Sequence, residues 1–422
     1  MERKRIIFHV DCNNAFLSFS AVRRLQLGID TVDLRTIPSV IAGSQASRHS
    51  IVIARSSPAK SFNITAGMSL VDALNCCPHL TVIPPDYYLY SRCNEAFNDI
   101  LREYSDKVQV FSIDESFLDM TDTYKLFGND PVDVARQIAD RIYENLGFSI
   151  SAGISRNKLL SKQASELLKP NGVSTCFPEE VPYKLWPLPI RELYMVGSQT
   201  EKKLIGIGIM TIGDLAACDI ELIKYKLKPA WGTMLWNYAH GIENSPVKPG
   251  GSISKIKGIG NSSTIRFDVT NRQEANKILL SLTETVAMRL RSQSFCCQLV
   301  SISIRTKDLF GYSHQKKLQV PTDCTSDIHQ ITCRLFDECW KGEPIRALGV
   351  RVSMLAMNDF IQLSLLEDSS EKKRIIDRTI DQIRMEYGSH SIVRSCFLWS
   401  GLSPVLGGAM EEENNFIMSS IL

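Results

Sequence analysis

The stretch Val108-Gln109-Val110-Phe111-Ser112-Ile113-Asp114-Glu115-Ser116-Phe117-Leu118-Asp119-Met120 holds two strand-like runs around a short turn. The flanking Val and Phe residues predict a hairpin with two carboxylates at its tip. Side chains of neighbouring strand residues point to opposite faces, so Asp114 and Glu115 meet on one object only if the backbone turns there. Convergent carboxylates repel one another unless a cation joins them. The turn therefore reads either as a solvated acidic loop or as part of a metal site, and the rest of the chain must decide.

Upstream, residues 4–11 read as a buried strand delivering Asp11 at its end. The period changes over Cys12 to Ser20, where Asn13 and Asn14 turn the chain into a helix beginning Ala15-Phe16-Leu17. Taken alone, Asp11 serves equally well as a helix cap. Residues 37–80 carry the run Ser50 to Ala54 and a Ser-rich turn, Arg55-Ser56-Ser57-Pro58-Ala59-Lys60, able to hold phosphate or simply to be solvated. After Pro84-Pro85 a helix extends through Tyr104. Pro131 opens another, whose stripe Ala135, Ile138, Ala139, Ile142 and Leu146 ends at Gly147. A strand over 148–154 and a helix from Asn157 to Leu168, bearing Lys158 and Lys162, lead to Lys169-Pro170-Asn171-Gly172. These elements predict a small α+β sheet with helices on one face.

The 422 residues allow two to four domains, and no apolar run approaches the roughly 18 residues of a membrane span. The start Met1 to Arg5 enters a strand-like run too short for a signal peptide. Twelve cysteines without a CxxC pair suggest reduced thiols, so a cytoplasmic protein without membrane contact is expected. Residues 177–245 turn helical and glycine-punctuated, with Val196-Gly197-Ser198, Ile207-Gly208-Ile209 and Pro229-Ala230-Trp231-Gly232 before a helix as possible phosphate-holding hairpins. Residues 244–252 read as a linker. Beyond it, residues 246–358 hold 16 Lys+Arg against 9 Asp+Glu, while the flanks are neutral or acidic. That segment reads as a separate α+β domain with two helices, and its charge suits a polyanion. The apolar run 361–366 precedes a charged helix from Ser370 to Tyr387 and an acidic tail expected to be disordered.

Three motifs, Val10-Asp11 before an aromatic helix start, Ser112 to Glu115, and Gly153 to Lys158 through Lys162 to Gly172, together resemble the Y-family translesion DNA polymerases, in detail their UmuC and DinB bacterial branch. The resemblance spans residues 4 to about 390 and implies a right-hand polymerase. Its parts would be a ferredoxin-like palm (1–12 and 85–176), small fingers (13–84), a helical thumb with helix-hairpin-helix character (177–245), a linker (246–251) and an α+β little finger (252–358). Residues 359–422 would supply a clamp-binding peptide, a helix and the tail.

The resemblance implies an error-prone, template-directed polymerase without proofreading, working as a monomer on primer-template DNA and dNTPs. Its palm would hold two Mg²⁺ ions through Asp11, Asp114, Glu115 and the Cys12 backbone carbonyl; hard oxygen donors suit that ion. Phe16 would act as steric gate against a ribose 2′-OH, and Lys162 would neutralise the β- and γ-phosphates. Ser57 and Lys60 stand where many relatives carry Tyr and Arg, so a hydroxyl and a point charge replace a phenol and a bidentate fork. Asn13 stands where DinB relatives often have Asp. In the thumb, Met195-Val196-Gly197 lacks the usual paired glycines, with Gly197 the candidate phosphate contact. Lys257, Asn261, Ser262 and Thr264 fall on the little-finger strand that lies along DNA, and Gln362-Leu363-Ser364-Leu365-Leu366 on the peptide that docks on the bacterial sliding clamp. A nucleotide cyclase could share palm-like strands and carboxylates, but has no use for a phosphate-gripping thumb and a basic C-terminal domain. A non-catalytic DNA-binding relative would lack a metal carboxylate, and all three are present.

Overall fold

The structure is a computed structural model that describes residues 4–43, 50–249, 256–358, 370–388 and 390–398. These fall into two compact units, residues 4–43 with 50–249, and 256–358 with the described part of 370–398. The expected clamp peptide, Gln362 to Leu366, and the acidic tail lie outside the described residues.

The first unit runs β1 (Ile7–Cys12), α1 (Ala15–Gln26), β2 (Ser39–Ala42), β3 (Val52–Arg55), α2 (Ser57–Lys60), α3 (Leu70–Cys76), β4 (Thr81–Ile83), α4 (Tyr87–Tyr104), β5 (Val108–Val110), β6 (Glu115–Asp119), α5 (Pro131–Leu146), β7 (Ile150–Ser155), α6 (Lys158–Leu167) and β8 (Val173–Thr175). The short helices α7 (Val181–Lys184), α8 (Ser198–Ile205), α9 (Ile212–Ala217), α10 (Ile220–Leu227) and α11 (Pro229–Ala239) complete it. Its main sheet has the order β5-β6-β1-β7-β8, with β1 central and antiparallel to both neighbours. Strands β1, β5, β6 and β7 with helices α4 and α5 make the βαββαβ ferredoxin-like arrangement.

Strand periodicity sorts the two faces of this sheet. Phe8, Val10 and Cys12 of β1, with Ile150, Ala152 and Ile154 of β7, form one core with Phe97, Ile100 and Leu101 of α4 and Ala135, Ile138 and Ile142 of α5. Helix α5 is bounded as its sequence predicts: Asp130 accepts a hydrogen bond from the Val132 amide at 2.9 Å, Pro131 takes the first position, and Gly147 ends it at φ 74°. The opposite face carries His9 and Asp11. Helix α6 packs there, so the helices are not confined to one face. A Cβ on Gly153 of β7 would run into the Ser161 carbonyl and the Ser165 amide of α6, and only a glycine permits that approach.

Between β1 and α4 lies the small sheet β3-β2-β4 with α2 and α3, the region expected as fingers. After β8, the helical segment wraps α6: Leu160 and Ala164 share its core with Leu204, Leu215 and Leu235. Gln163 holds this segment by donating to the Glu192 carbonyl at 3.0 Å and accepting from the Tyr194 amide at 2.9 Å. Pro229 to Gly232, expected as a hairpin before a helix, instead form the first turn of α11, where Pro229 takes the first helical position.

The second unit contains β9 (Gly258–Val269), α12 (Arg272–Ser292), β10 (Phe295–Thr306), β11 (Gly311–Thr322), α13 (Thr325–Cys339), β12 (Ile345–Met357) and α14 (Ser370–Tyr387). Its antiparallel sheet, ordered β11-β10-β12-β9, buries Val300, Ile302, Val350 and Val352 against α12 and α13. Helix α14 docks on this unit mainly through charge. Arg291 of α12 donates to Asp381 at 2.6 Å, Glu284 accepts from Arg384 at 3.0 Å and also pairs with Arg394, and Arg374 reaches Asp323 at 2.9 Å. Cys324 makes no side-chain cap for α13; an Asp377 oxygen accepts from the Thr325 amide at 2.7 Å and serves in its place.

Candidate active site

The hairpin tip and the first strand meet by register. Asp11 of β1 pairs directly with Glu115 of β6, which puts both side chains on the same face. Asp114 precedes β6, and its carbonyl accepts from the Cys12 amide at 2.8 Å, closing the tip onto the end of β1. The backbone turn is real: Phe111 and Ser112 both donate to the Glu115 carbonyl, at 3.0 and 3.1 Å.

Each carboxylate is turned to a partner of its own. Asp11 pairs with Lys169 at 2.9 Å, and Asp114 accepts from Ser112 Oγ at 2.5 Å. Glu115 Oε2 is contacted by His9 Nε2 at 2.9 Å and by Lys162 Nζ. Among the described residues no three His, Cys, Asp or Glu side chains are grouped to hold a metal ion. The donor chemistry nevertheless fits a hard cation. Asp11 is pushed up to about 6 by burial, against the pull of Lys169, with Asp114 and Glu115 adding to the rise. Burial would also raise Glu115, but His9 and Lys162 outweigh it and hold that carboxyl at about 2. The Cys12 thiol faces the apolar core, and burial raises its pKa, so only the backbone of that residue suits such an ion.

Two lysines neutralise the site, and Lys169 is the one whose role the sequence did not reveal. Lys162 is flanked by the rings of Phe111 and Tyr194, 5.4 and 5.6 Å from their centroids. Lys169 stands beyond the end of α6 and is more exposed, 29% against 15%. His9 was also missed: it is fully buried, its pKa is lowered to about 4 by burial, and its Nδ1 lies 2.8 Å from Ser165 Oγ.

Phe16 lies half-buried in the first turn of α1, its ring 4.6 Å from that of Tyr90. Tyr90 is fully buried and shares a hydrogen bond with Ser20 at 3.0 Å. Asn14 precedes α1 at φ 48°, a conformation asparagine tolerates. Asn13 is held within the fold, donating to Asn171 and accepting from Ser151 Oγ, each at 2.9 Å. Ser57 and Lys60 are exposed at the two ends of α2, whose cap is the buried Ser56 accepting from the Ala59 amide at 3.1 Å. Gly197 is exposed at the N-cap of α8, and a Cβ there would meet nothing within 4 Å.

On the second unit, Lys257 is exposed just before edge strand β9. Ser262 and Thr264 point to the face away from α12, whereas Asn261 lies on the other side of the strand with Ile259 and Ile265. Cross-strand register continues the outer row from Ser262 to Gly349, Ser303 and Ser313, with Arg351 in the row to one side and Arg305 in the row to the other. Small residues between two arginines allow close approach of an extended polyanion.

Two family profiles match in order: the impB/mucB/samB family over residues 10–166, and the impB/mucB/samB family C-terminal domain over 256–365. The DNA polymerase IV of Clostridium acetobutylicum is 41% identical over 395 residues, covering 93% of this chain and 98% of the relative. The chain belongs to the Y-family translesion DNA polymerases. DNA polymerase IV 2 of Bacillus subtilis is 34% identical, covering 94% of this chain and 96% of the relative. Among solved structures, a Y-family DNA polymerase chimera of Dbh and Dpo4 matches with TM-score 0.71 at 22% identity, covering 84% of this chain and all of that one. An insertion ternary complex of Dbh DNA polymerase matches with TM-score 0.55 at 23% identity over the same shares. The chain is thus a DNA-directed DNA polymerase of α+β, multidomain, right-hand class. Among the described residues no helix is long and apolar enough to cross a membrane.

Proposed function

We propose that this polymerase carries out error-prone synthesis across template lesions by two-metal nucleotidyl transfer from dNTPs to a primer 3′-OH, without proofreading. The observation that carries the reading is the direct pairing of Asp11 with Glu115, beside Asp114, with lysines as their present counter-charges. Asp11, Asp114, Glu115 and the Cys12 carbonyl would hold two Mg²⁺ ions. When bound, these supply Lewis-acid activation of the primer hydroxyl and charge neutralisation on the triphosphate and the departing pyrophosphate.

The chain's own residues do the rest. Lys162 neutralises the β- and γ-phosphates, and Lys169, beside Asp11 and partly exposed, adds a second cation to the triphosphate. Lys60 adds a further cation from the fingers, and Ser57 a hydroxyl. Phe16, backed by Tyr90, occupies the space a ribose 2′-OH would need. Gly197 of the thumb and Lys257, Ser262 and Thr264 of the little finger grip primer-template DNA by its backbone, with little base preference, while Asn261 on the inner side of the strand takes no part. Residues Gln362 to Leu366 dock on the sliding clamp of a bacterial cytoplasm, and the enzyme works as a monomer.

Asp114→Ala tests the centre. It should reduce primer extension at least about 10³-fold, roughly 4 kcal/mol of transition-state stabilisation, while leaving primer-template affinity intact. Substantial extension by the purified variant would defeat the metal assignment. Deleting residues 362–366 should abolish stimulation by clamp and spare basal extension; equal stimulation would remove the docking role.

A further inference from the structure

We propose that His9 is a positioning residue that orients Glu115 for the metal, through a hydrogen-bond relay anchored on Ser165 of α6. The inference rests on the reading of Glu115 as a metal ligand. His9 belongs to β1, two residues before Asp11, and its side chain is on the same sheet face. It is fully buried, packed against Phe117 with ring centroids 4.7 Å apart and planes tilted by 53°, and pairs on β7 with Gly153, the residue that lets α6 sit close. Its ring is thus fixed from the strand side, the helix side and the neighbouring aromatic.

The polar contacts define what the ring does. An ionised carboxylate only accepts hydrogen bonds, so Nε2 carries the proton and donates to Glu115 Oε2 at 2.9 Å. Nδ1 is then an acceptor 2.8 Å from Ser165 Oγ, whose single hydroxyl proton is shared between the ring and the Lys162 carbonyl at 2.7 Å, and this contact sets the ring's orientation from the far end. Lys162 Nζ touches the same Oε2, and among the described residues no donor contacts Oε1. Both protein donors therefore hold one oxygen and leave the other for the metal. They differ in kind: Lys162 sits at the end of a four-carbon stem and can turn toward phosphate, whereas the imidazole cannot leave. Outer contacts of this sort orient ligands and, in other metal sites, matter about 10- to 100-fold in metal affinity.

The test is Mn²⁺ binding to the full-length polymerase without DNA or nucleotide, read from the loss of the free-ion paramagnetic resonance signal. His9→Phe keeps the ring and removes the donor; His9→Gln restores a nitrogen near the Nε2 position; Ser165→Ala removes the anchor. His9→Phe should weaken Mn²⁺ binding about 10- to 100-fold and His9→Gln should recover most of it, with primer-template affinity unchanged throughout. Ser165→Ala, which leaves the imidazole in place, should give an intermediate loss, so the question stays answerable if His9→Phe misfolds. Normal Mn²⁺ binding by His9→Phe, in a preparation where Asp114→Ala loses it, overturns the role of His9 alone. If the unaltered polymerase binds no Mn²⁺ that Asp114→Ala removes, the two-metal reading falls and takes this proposal with it.

Discussion

Phe16 owes its position to two neighbours that no simple pattern announces, the left-handed Asn14 that turns the chain and the buried Tyr90 that backs the ring. Truncating Phe16, the gate proposed above, should widen the space beside the sugar without touching the carboxylates. Phe16→Ala is expected to raise the ribo- to deoxynucleotide insertion ratio at least about tenfold, the equivalent of ~1.4 kcal/mol, in single-nucleotide incorporation assays. An unchanged ratio would mean that another group reads the sugar. At this scale the sequence was informative where chemistry is local. Asp11 at a strand end and the paired acids at a turn are visible as such, and strand parity places His9 beside Asp11. What covers His9 is not visible, because α6 arrives from about 150 residues later, and Lys169 looks like any lysine at a helix end until Asp11 is seen beside it.

Strands and helices were legible in proportion to their periodicity. The α5 stripe, its opening proline and closing glycine predict the helix and its bounds, and α14 runs from Ser370 to Tyr387 as its charge pattern suggests. The side of the sheet on which α6 lies was not legible, since its apolar residues Leu160 and Ala164 serve the core of the helical segment after β8 rather than the sheet. Contact with the sheet is instead set by a missing side chain at Gly153. Gly153→Ala forces a methyl into the α6 backbone, which cannot give way as a flexible side chain would. A cost above about 2 kcal/mol is expected in urea unfolding, together with reduced extension as Lys162 and Ser165 are displaced. Wild-type stability in that variant would show that α6 can slide. The outward row Ser262, Gly349, Ser303 and Ser313 was likewise hidden, because it exists only across four strands.

For the molecule as a whole, the C-terminal helix α14 does not trail from the sheet of the second unit but completes the charge balance of its helical layer. Glu284 and Arg291 sit deep in α12 with partners contributed by α14 and the segment after it. Removing one partner of a buried pair costs about 3–5 kcal/mol. A chain ending at Asn358 should therefore lose hydrogen-exchange protection throughout α12 and α13, while β1 and β7 keep theirs; full protection in α12 would show the helix to be dispensable. A pattern search reads α14 as a solvated charged helix, since sequence cannot tell a charge facing water from one facing a buried opposite charge.

The pairing of Asp11 with Glu115 has a consequence for how the enzyme comes into being. Residues about a hundred positions apart must close into register, and β1 gains its second neighbour only when β7 has left the ribosome. A nascent chain therefore carries its first carboxylate long before it has a site, and no fragment shorter than β7 can complete the sheet around it. A chain that stops before β7 therefore holds no completed carboxylate site, whereas every strand of that sheet has been made once Thr175 has left the ribosome, before the second unit begins.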